Sequence, residues 1–138
     1  MTERQAFNLK MIEEFRANAG KAGGQFASVP LLLLTCAGAK TGQLRTTPLA
    51  YSRDGDRFVV IASMAGAPNN PDWYHNLKAH PTATVELGVE RFSVKATVAS
   101  GTERQRLYDA QAKQLPVFAE YQKKTTRQIP VIVLERVR

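Results

Sequence analysis

The residues best suited to hold an anion lie in one short segment, Gly38–Pro48. It carries two cations and three hydroxyls: Lys40, Arg45, Thr41, Thr46 and Thr47. Gly38 and Gly42 let backbone N–H groups approach a ligand, and N–H groups beside a cation can bind phosphate. The segment is not a P-loop, because Ala39 stands before the lysine where a glycine is required. An ordinary hairpin turn accounts for the same composition equally well.

A second segment, Ser63–Lys78, combines loop residues with a predicted short helix, Asp72–Ala79. We expect Asn70 to cap this helix and Pro71 to lie in its first turn. A helix N-terminus favours anions, and Trp73 beside Tyr74 offers a flat surface for a ring system. Packing in the core explains Trp73 equally well.

Other chemistry has little support in the sequence. His75 and His80 lie five apart, which is not the spacing that pairs two ligands on a helix face, so no metal site is predicted. Cys36 is the only cysteine and is predicted to be a buried strand residue. The net charge of +7 favours anionic partners, but the basic residues are dispersed, so no nucleic-acid partner is expected. Phe118 and Tyr121 share a helical face and could roof a pocket or belong to the core.

The N-terminal residues Thr2–Asn18 are predicted to form an amphipathic helix. Phe7, Met11 and Phe15 fall four apart beside Leu9 and Ile12. Thr2 is the expected N-cap, and Gly20 with Gly23–Gly24 ends the helix. Packing on the core, a lid and a contact with a membrane surface are all compatible with this helix.

The rest of the chain alternates short strands with tight turns. The predicted strands are Pro30–Cys36, Arg45–Ser52, Phe58–Ser63, Thr82–Leu87, Phe92–Val98 and Pro130–Leu134. Further helices are predicted from Thr102, in a capping box with Gln105, to about Gln114, and over Val117–Lys124. Without long crossovers, an antiparallel barrel or sandwich covered by helices fits best, and 138 residues indicate one domain.

Three signatures identify a resemblance that covers about Gln25 to Glu135. They are G-x-K-[ST]-G-x-x-R-x-x-P at Gly38–Pro48, a Ser63…Pro-x-Trp-Tyr-x-Asn-Leu block, and a Tyr-Gln…Thr…Arg-x-Ile-Pro-Val end. The sequence resembles the deazaflavin-dependent nitroreductase family, whose members use coenzyme F420. The resemblance implies an α+β fold: a split β-barrel of about six mainly antiparallel strands with an N-terminal helix and short covering helices. It also implies one F420-binding domain over residues 1–138, with residues 1–24 as helix and linker.

The implied activity is hydride transfer from reduced F420 to a small apolar acceptor: a quinone, an enone or unsaturated lactone, or a nitro compound. Lys40, Thr41, Gly42 and Arg45 would hold the acidic tail. The deazaflavin ring would lie against residues of two strands and one helix: Thr46, Thr47, Pro48, Leu49, Ala50, Ile61, Ala62, Ser63, Met64, Asp72, Trp73, Tyr74, His75 and Asn76. Leu115, Phe118 and Tyr121 would border the substrate, with Tyr121 as first candidate proton donor and Ser63 as second.

The chain departs from the family pattern at several positions. Ala39 and Met64 stand where basic residues are common, which weakens tail binding or shifts it onto Lys78 and Arg127. Leu115, Phe118 and Ala50 replace tyrosines of the best-known nitroreductase, which disfavours nitroimidazoles and favours apolar acceptors.

Two other classes remain compatible with the sequence: a non-catalytic F420- or lipid-binding protein of the same fold, and a flavin- or haem-binding split barrel. By resemblance, the protein is expected in the cytoplasm or at the inner face of the cell membrane, which the N-terminal helix could contact. A monomer or a weak homodimer is expected.

Overall fold

A computed structural model describes residues 2–20 and 29–137, so the predicted glycine stop at residues 23–24 lies outside the described residues. The helices are α1 (Glu3–Ala17), α2 (Asp72–Ala79), α3 (Gly101–Gln114) and α4 (Val117–Lys123). The strands are β1 (Leu31–Ala37), β2 (Leu44–Asp54), β3 (Arg57–Ile61), β4 (Thr82–Leu87), β5 (Glu90–Val98) and β6 (Val131–Arg136).

The strands form a closed barrel in the order β1-β2-β3-β6-β5-β4, with every neighbouring pair antiparallel. β1 and β2 pair along their whole hairpin, from Leu31 opposite Ala50 to Ala37 opposite Leu44. Pairing of β1 with β4 closes the circle. The predicted α+β barrel of antiparallel strands is therefore confirmed.

Strands β1, β3 and β6 each contain a run of four apolar residues because both faces of the strand are covered along that run. Leu32 and Leu34 of β1 point into the barrel, while Leu33 packs outward against Ile12 and Phe15 of α1. Strands β3 and β6 share this pattern: Phe58, Val60, Ile132 and Leu134 fill the barrel, and Val59, Ile61, Val131 and Val133 pack outward in a second cluster with α3 and α4. Successive strand side chains alternate between faces, so covering both faces makes every position apolar.

Strands β4 and β5 keep the alternation that the sequence predicts. Ala83, Val85 and Val94 point into the barrel and are buried, whereas neighbours such as Thr82 and Lys95 are exposed. An antiparallel sheet with one solvent face shows this pattern. The helices thus cover one part of the barrel wall and leave the β4–β5 part open.

Helix α1 has Thr2 as its N-cap, as predicted, and the Thr2 hydroxyl accepts from the Gln5 N–H in a capping box. Ile12 and Phe15 are buried, but Phe7 is 48% exposed, so the predicted apolar face is wrong at its N-terminal end. Near the other end, Arg16 donates two hydrogen bonds to the Glu86 carboxylate of β4, at 3.0 and 2.8 Å. These hydrogen bonds hold the pKa of Glu86 below its ordinary value, although partial burial opposes them.

Two of the predicted helix caps are wrong. Helix α3 starts one residue before Thr102 with Ser100 as its N-cap, and the Gln105 amide donates to Asp109 instead of closing a capping box. Helix α2 has the predicted bounds, but Pro71 is its N-cap. The Asn70 side chain accepts a hydrogen bond from Arg127 instead.

Candidate functional site

A cleft of about 550 Å³ lies between α1 and the end of the barrel where β1, β2 and α2 meet. Its lining combines apolar, hydroxyl, amide and charged side chains. The lining residues are Gln5, Asn8, Leu9, Ile12, Cys36, Leu44, Arg45, Thr46, Thr47, Met64, Pro71, Asp72, Trp73 and Asn76. A mostly preformed cavity of this size, with a few polar groups, is typical of small-molecule and cofactor sites.

Most backbone N–H groups of the β1–β2 turn beside this cleft already have acceptors within the protein. Gly38 donates to the Gln43 carbonyl at 2.8 Å, and Gly42, in the left-handed region at φ 72°, donates to the Gly38 carbonyl at 2.9 Å. Ala39 donates to the Asn76 side chain, and Gln43 donates to the Thr41 hydroxyl. An anion at this turn would therefore be held mainly by side chains, and less by the glycine N–H groups that the sequence indicated.

Asn76 of α2 joins the turn to the floor of the cleft. Its Oδ1 accepts from the Ala39 N–H at 2.9 Å, and its side chain also hydrogen-bonds the Cys36 thiol. Burial raises the pKa of Cys36, with the Asn76 hydrogen bond acting in the opposite direction. A protonated, 2% exposed thiol suits the predicted structural role of Cys36.

The loop from residue 62 to residue 70 forms another wall of the cleft. Met64 lines the cleft with its backbone in the left-handed region at φ 47°, and Ala65 follows at φ 54°. The guanidinium of Arg127 donates to three carbonyl oxygens of this loop and to the Asn70 side chain. Arg127, which the sequence offered as a second partner for an acidic tail, is therefore engaged with the loop.

The cleft carries one cation and one anion among the described residues, Arg45 on β2 and Asp72 at the start of α2. Lys40 is exposed on the β1–β2 turn, in the same hairpin as Arg45. The β2 side of the cleft, with the Lys40 turn beyond it, is therefore the cationic side.

The structure brings part of the predicted cofactor set together in the cleft. Seven of these residues line it: Arg45, Thr46, Thr47, Met64, Asp72, Trp73 and Asn76. The other predicted cofactor residues do not line the cleft but lie on neighbouring parts of the same elements. They are Lys40, Thr41 and Gly42 in the β1–β2 turn, Pro48, Leu49 and Ala50 further along β2, Ile61 at the end of β3, Ala62 and Ser63 directly after it, and Tyr74 and His75 on α2.

The three residues predicted to border a substrate belong to the outer cluster beneath α3 and α4. Phe118 is 7% exposed there, and Leu115 and Tyr121 pack against the same cluster. Phe118 and Tyr121 meet edge to face, with ring centroids 5.3 Å apart. None of the three is among the described residues that line the cleft.

The sequence left a lid as one possible role of α1, but it did not indicate that Gln5 and Asn8 face the cleft. Gln5, Asn8, Leu9 and Ile12 line it from above. Their spacing of three, four and seven residues places them on one helix face, which was a usable signal. The signal was not used because Gln5 and Asn8 are polar, whereas the prediction followed the apolar residues of the helix.

The described residues contain neither a metal-binding cluster nor a membrane-spanning helix. No group of three or more His, Cys, Asp or Glu side chains among residues 2–20 and 29–137 could hold a metal ion. In the same ranges, no helix has the length and apolar character needed to cross a membrane.

Known proteins with a similar sequence and fold define the class of this chain. The sequence model of the F420H(2)-dependent quinone reductase family matches residues 9–136. An F420H(2)-dependent quinone reductase of Mycobacterium tuberculosis is 40% identical over 126 residues, which cover 88% of this chain and 85% of that protein.

Two solved structures agree with this match. A reductase described as F420-H2 dependent (FDR-A) is 37% identical, with a TM-score of 0.71 over 77% of this chain and 94% of its own. A protein solved as a domain-swapped dimer is 33% identical, with a TM-score of 0.73 over 92% of this chain and 93% of its own.

The chain belongs to the F420H(2)-dependent quinone reductase family. This membership confirms the resemblance found in the sequence. It also confirms, at the level of the family, the predicted enzyme class of F420-dependent reductase and the predicted cofactor, reduced F420.

Proposed function

We propose that this protein transfers a hydride from reduced F420 to a quinone, and that the cofactor binds in the cleft beneath α1. The observation that carries the placement is the joining of Arg45, Thr46 and Thr47 with Trp73 in one cavity. Reduction of a quinone is supported by the name of the matching family and by that of the Mycobacterium tuberculosis relative.

The residues of the cleft fit a cofactor with a flat ring and an acidic tail. Arg45, with exposed Lys40 beyond it, supplies the charge that a phosphate and glutamyl tail needs. Thr46 and Thr47 supply hydroxyl donors, and the indole of Trp73 supplies a flat apolar surface. Gly42 and Thr41 of the turn, and Pro48 to Ala50 of β2, would continue the same surface.

Bound reduced F420 would supply a hydride, an electron pair with its proton, to the acceptor. The chain's own residues orient ring and acceptor and exclude water, which converts an encounter into a reaction within one complex. A quinone that gains a hydride also needs a proton on oxygen. The Tyr121 hydroxyl is our first candidate for that donor, and the Ser63 hydroxyl is the second.

The composition of the cleft favours an apolar acceptor. Leu9, Ile12 and Leu44 line it, and Leu9 and Leu44 are 45% and 72% exposed, so apolar surface extends to its mouth. Unsaturated lactones and nitro compounds are further acceptors for the same chemistry. We expect nitroimidazoles to react poorly, since Ala50, Leu115 and Phe118 stand where the nitroreductase has tyrosines.

Two associations complete the proposal. Peripheral contact with a membrane through α1 is supported by the exposed Phe7 and Leu9, and weak dimerisation by the solved relative described as a domain-swapped dimer. Co-sedimentation with vesicles and the sedimentation velocity of the free protein test them, and a monomer that leaves vesicles unbound contradicts both.

The decisive experiment measures binding and turnover separately. Titration with oxidised F420, followed by its absorbance, should saturate, and reduced F420 should be consumed when a menaquinone analogue is added. Binding without consumption would reject the reductase in favour of a non-catalytic F420-binding protein. Absence of binding at low ionic strength would reject both.

A double substitution tests where the tail lies. Lys40→Ala with Arg45→Ala should raise the Kd of F420 at least tenfold, about 1.4 kcal/mol, and flatten its dependence on salt. Lys95→Ala with Lys113→Ala is the matched control, because it removes the same charge from exposed positions on β5 and α3. Unchanged affinity in the first variant would contradict the placement.

A further inference from the structure

Arg127 makes an unusually complete set of contacts with one loop. Its Nε donates to the Ala67 carbonyl at 2.9 Å and its Nη2 to the Ser63 carbonyl at 2.8 Å. Its Nη1 donates to the Ala62 carbonyl at 3.2 Å and to Asn70 Oδ1 at 2.6 Å. One planar side chain therefore fixes both ends of the loop from residue 62 to residue 70.

The loop needs such a restraint because its backbone is strained. Met64 and Ala65 have φ values of 47° and 54°, a left-handed conformation that residues with a Cβ rarely adopt. Gly66 continues the turn at φ 81°, and a Cβ there would come within 2.9 Å of the Tyr121 carbonyl oxygen. The surrounding contacts, and not local preference, therefore determine the shape of the loop.

The same loop forms the wall of the cleft. Met64 lines the cleft, and the loop leads directly into Pro71, Asp72 and Trp73, which line it too. Arg127 lies behind this wall, where it borders a separate cavity of about 540 Å³ between α3 and α4. It is therefore placed to act on the cleft through the loop.

We propose that Arg127 is a positioning residue for hydride transfer: it holds the loop from residue 62 to residue 70 in the strained conformation that shapes the cofactor cleft. The proposal rests on the proposed function for its effect on the cofactor, but its effect on the wall of the cleft is independent of any ligand. Lysine cannot replace this guanidinium, because a single ammonium cannot reach acceptors spread along a planar fork.

Arg104 provides a matched control. It is 4% exposed, donates to the Ile129 carbonyl at 3.1 and 2.6 Å and to Gln122, and borders the same second cavity. Its hydrogen-bond partners, Gln105, Gln122 and the Ile129 carbonyl, all lie outside the loop from residue 62 to residue 70. Arg104→Lys therefore reproduces the loss of a guanidinium bound to backbone, and it reaches the Arg127 segment only through Gln122, which donates to the Arg127 carbonyl.

The first measurement is the fluorescence of Trp73, the only tryptophan, in the protein without cofactor. We expect Arg127→Lys to shift its emission and to increase its quenching by acrylamide, and Arg104→Lys to leave both unchanged although both variants unfold more easily. The second is the Kd of F420, which should rise about tenfold, about 1.4 kcal/mol, in Arg127→Lys only.

A double-mutant cycle tests the role of strain. Ala65 is exposed and is not among the described lining residues, so Ala65→Gly relieves the left-handed backbone without altering the cleft surface. Added to Arg127→Lys, it should recover part of the lost affinity. If Arg127→Lys does not fold, Asn70→Ala removes one of the four acceptors and should shift Trp73 emission in the same direction by less.

The outcomes separate this inference from the proposed function. If Arg127→Lys and Arg104→Lys change Trp73 emission equally, or if neither changes it, the positioning role is rejected. If the unaltered protein does not bind F420, the proposed function fails, and the emission comparison still decides the role of Arg127. Normal F420 affinity in a folded Arg127→Lys variant rejects the inference alone.

Discussion

The two helical covers of the barrel differ in how closely they pack. Helices α3 and α4 seal the outer faces of β3 and β6 with a large buried cluster that includes Val59, Leu107, Phe118 and Ile129. Helix α1 rests on β1 through Ile12 and Phe15 over Leu33, with Arg16 bound to Glu86, and leaves the cleft beneath its N-terminal half. The comparison indicates that the closely packed side supplies stability and the loosely covered side supplies the binding site.

The largest expected effect tests the stability of the closely packed side. Leu107 on α3 is 1% exposed, so Leu107→Ala should lower the free energy of unfolding by about 3 kcal/mol through lost burial and a cavity. Denaturant unfolding measures this loss. The Kd of F420 should be unchanged while the protein is folded, and a large rise would show that the two sides are not separate.

The second prediction tests whether the closely packed side supplies stability alone, because Tyr121 lies on that side. If its hydroxyl supplies the proton, Tyr121→Phe should lower kcat about 100-fold and leave the Kd of F420 unchanged. Steady-state kinetics with a menaquinone analogue measure both constants.

Tyr108→Phe is the control for Tyr121→Phe, because the Tyr108 hydroxyl donates to the Phe118 carbonyl within the same cluster. It should cost stability without lowering kcat. An unaltered kcat in Tyr121→Phe would leave Ser63 as the candidate donor.

The third prediction concerns the attachment of α1. Gly20 has φ 89°, and a Cβ there would come within 2.3 Å of the Gly88 Cα in the β4–β5 turn. Gly20→Ala should cost about 2 kcal/mol and displace the end of α1, so F420 should bind several-fold more weakly. Gly55→Ala is the control, since Gly55 has φ 65° with nothing within 4 Å of a Cβ. Equal effects of the two substitutions on F420 binding would contradict the role of α1.

The smallest effect concerns the salt bridge that ties α3 to the β2–β3 turn. Hydrogen bonds from Arg106, and then from Arg57, lower the pKa of Asp54 from 3.8 to about 2. Because the pKa is depressed in the folded protein, this stabilisation is present above pH 3.8 and is lost as the pH falls through about 2.

Asp54→Asn should therefore cost less than about 1 kcal/mol at pH 6, and this cost should fall toward zero as the pH drops below about 2. The urea midpoints of both proteins across this range measure the difference. A difference that persists at the lowest pH would assign the effect to something other than the charge of Asp54.

The sequence predicted the barrel well because strand period and turn residues are local. The alternating residues of β4 gave its bounds as Thr82–Leu87, and the Asp54–Gly55 pair marked the β2–β3 turn. The caps were less predictable, since Thr102 and Asn70 have the right chemistry for capping and tertiary contacts decide their partners. Asn70 bonds Arg127, which is 57 residues away in the chain.

The site was predictable only in part for a related reason. Arg45 and Trp73 could be named because their types suit an acidic tail and a ring, and both line the cleft. Gln5 and Asn8 were not named, because their spacing places them on the same helix face as Leu9 and Ile12 but does not say what lies opposite that face. Arg127 was recognised as part of a signature, but its role depends on the strained loop, which no local pattern revealed.

The pairing of β1 has a mechanical consequence. It pairs with β2 over seven residue pairs and with β4 over three, from Leu33 to Thr35. A barrel opens most easily along its shortest ladder, and this ladder lies beside the strand on which α1 rests. Among the ladders of the barrel, native-state hydrogen exchange should therefore be fastest along β1–β4. Local opening of the barrel and detachment of α1 would then occur together.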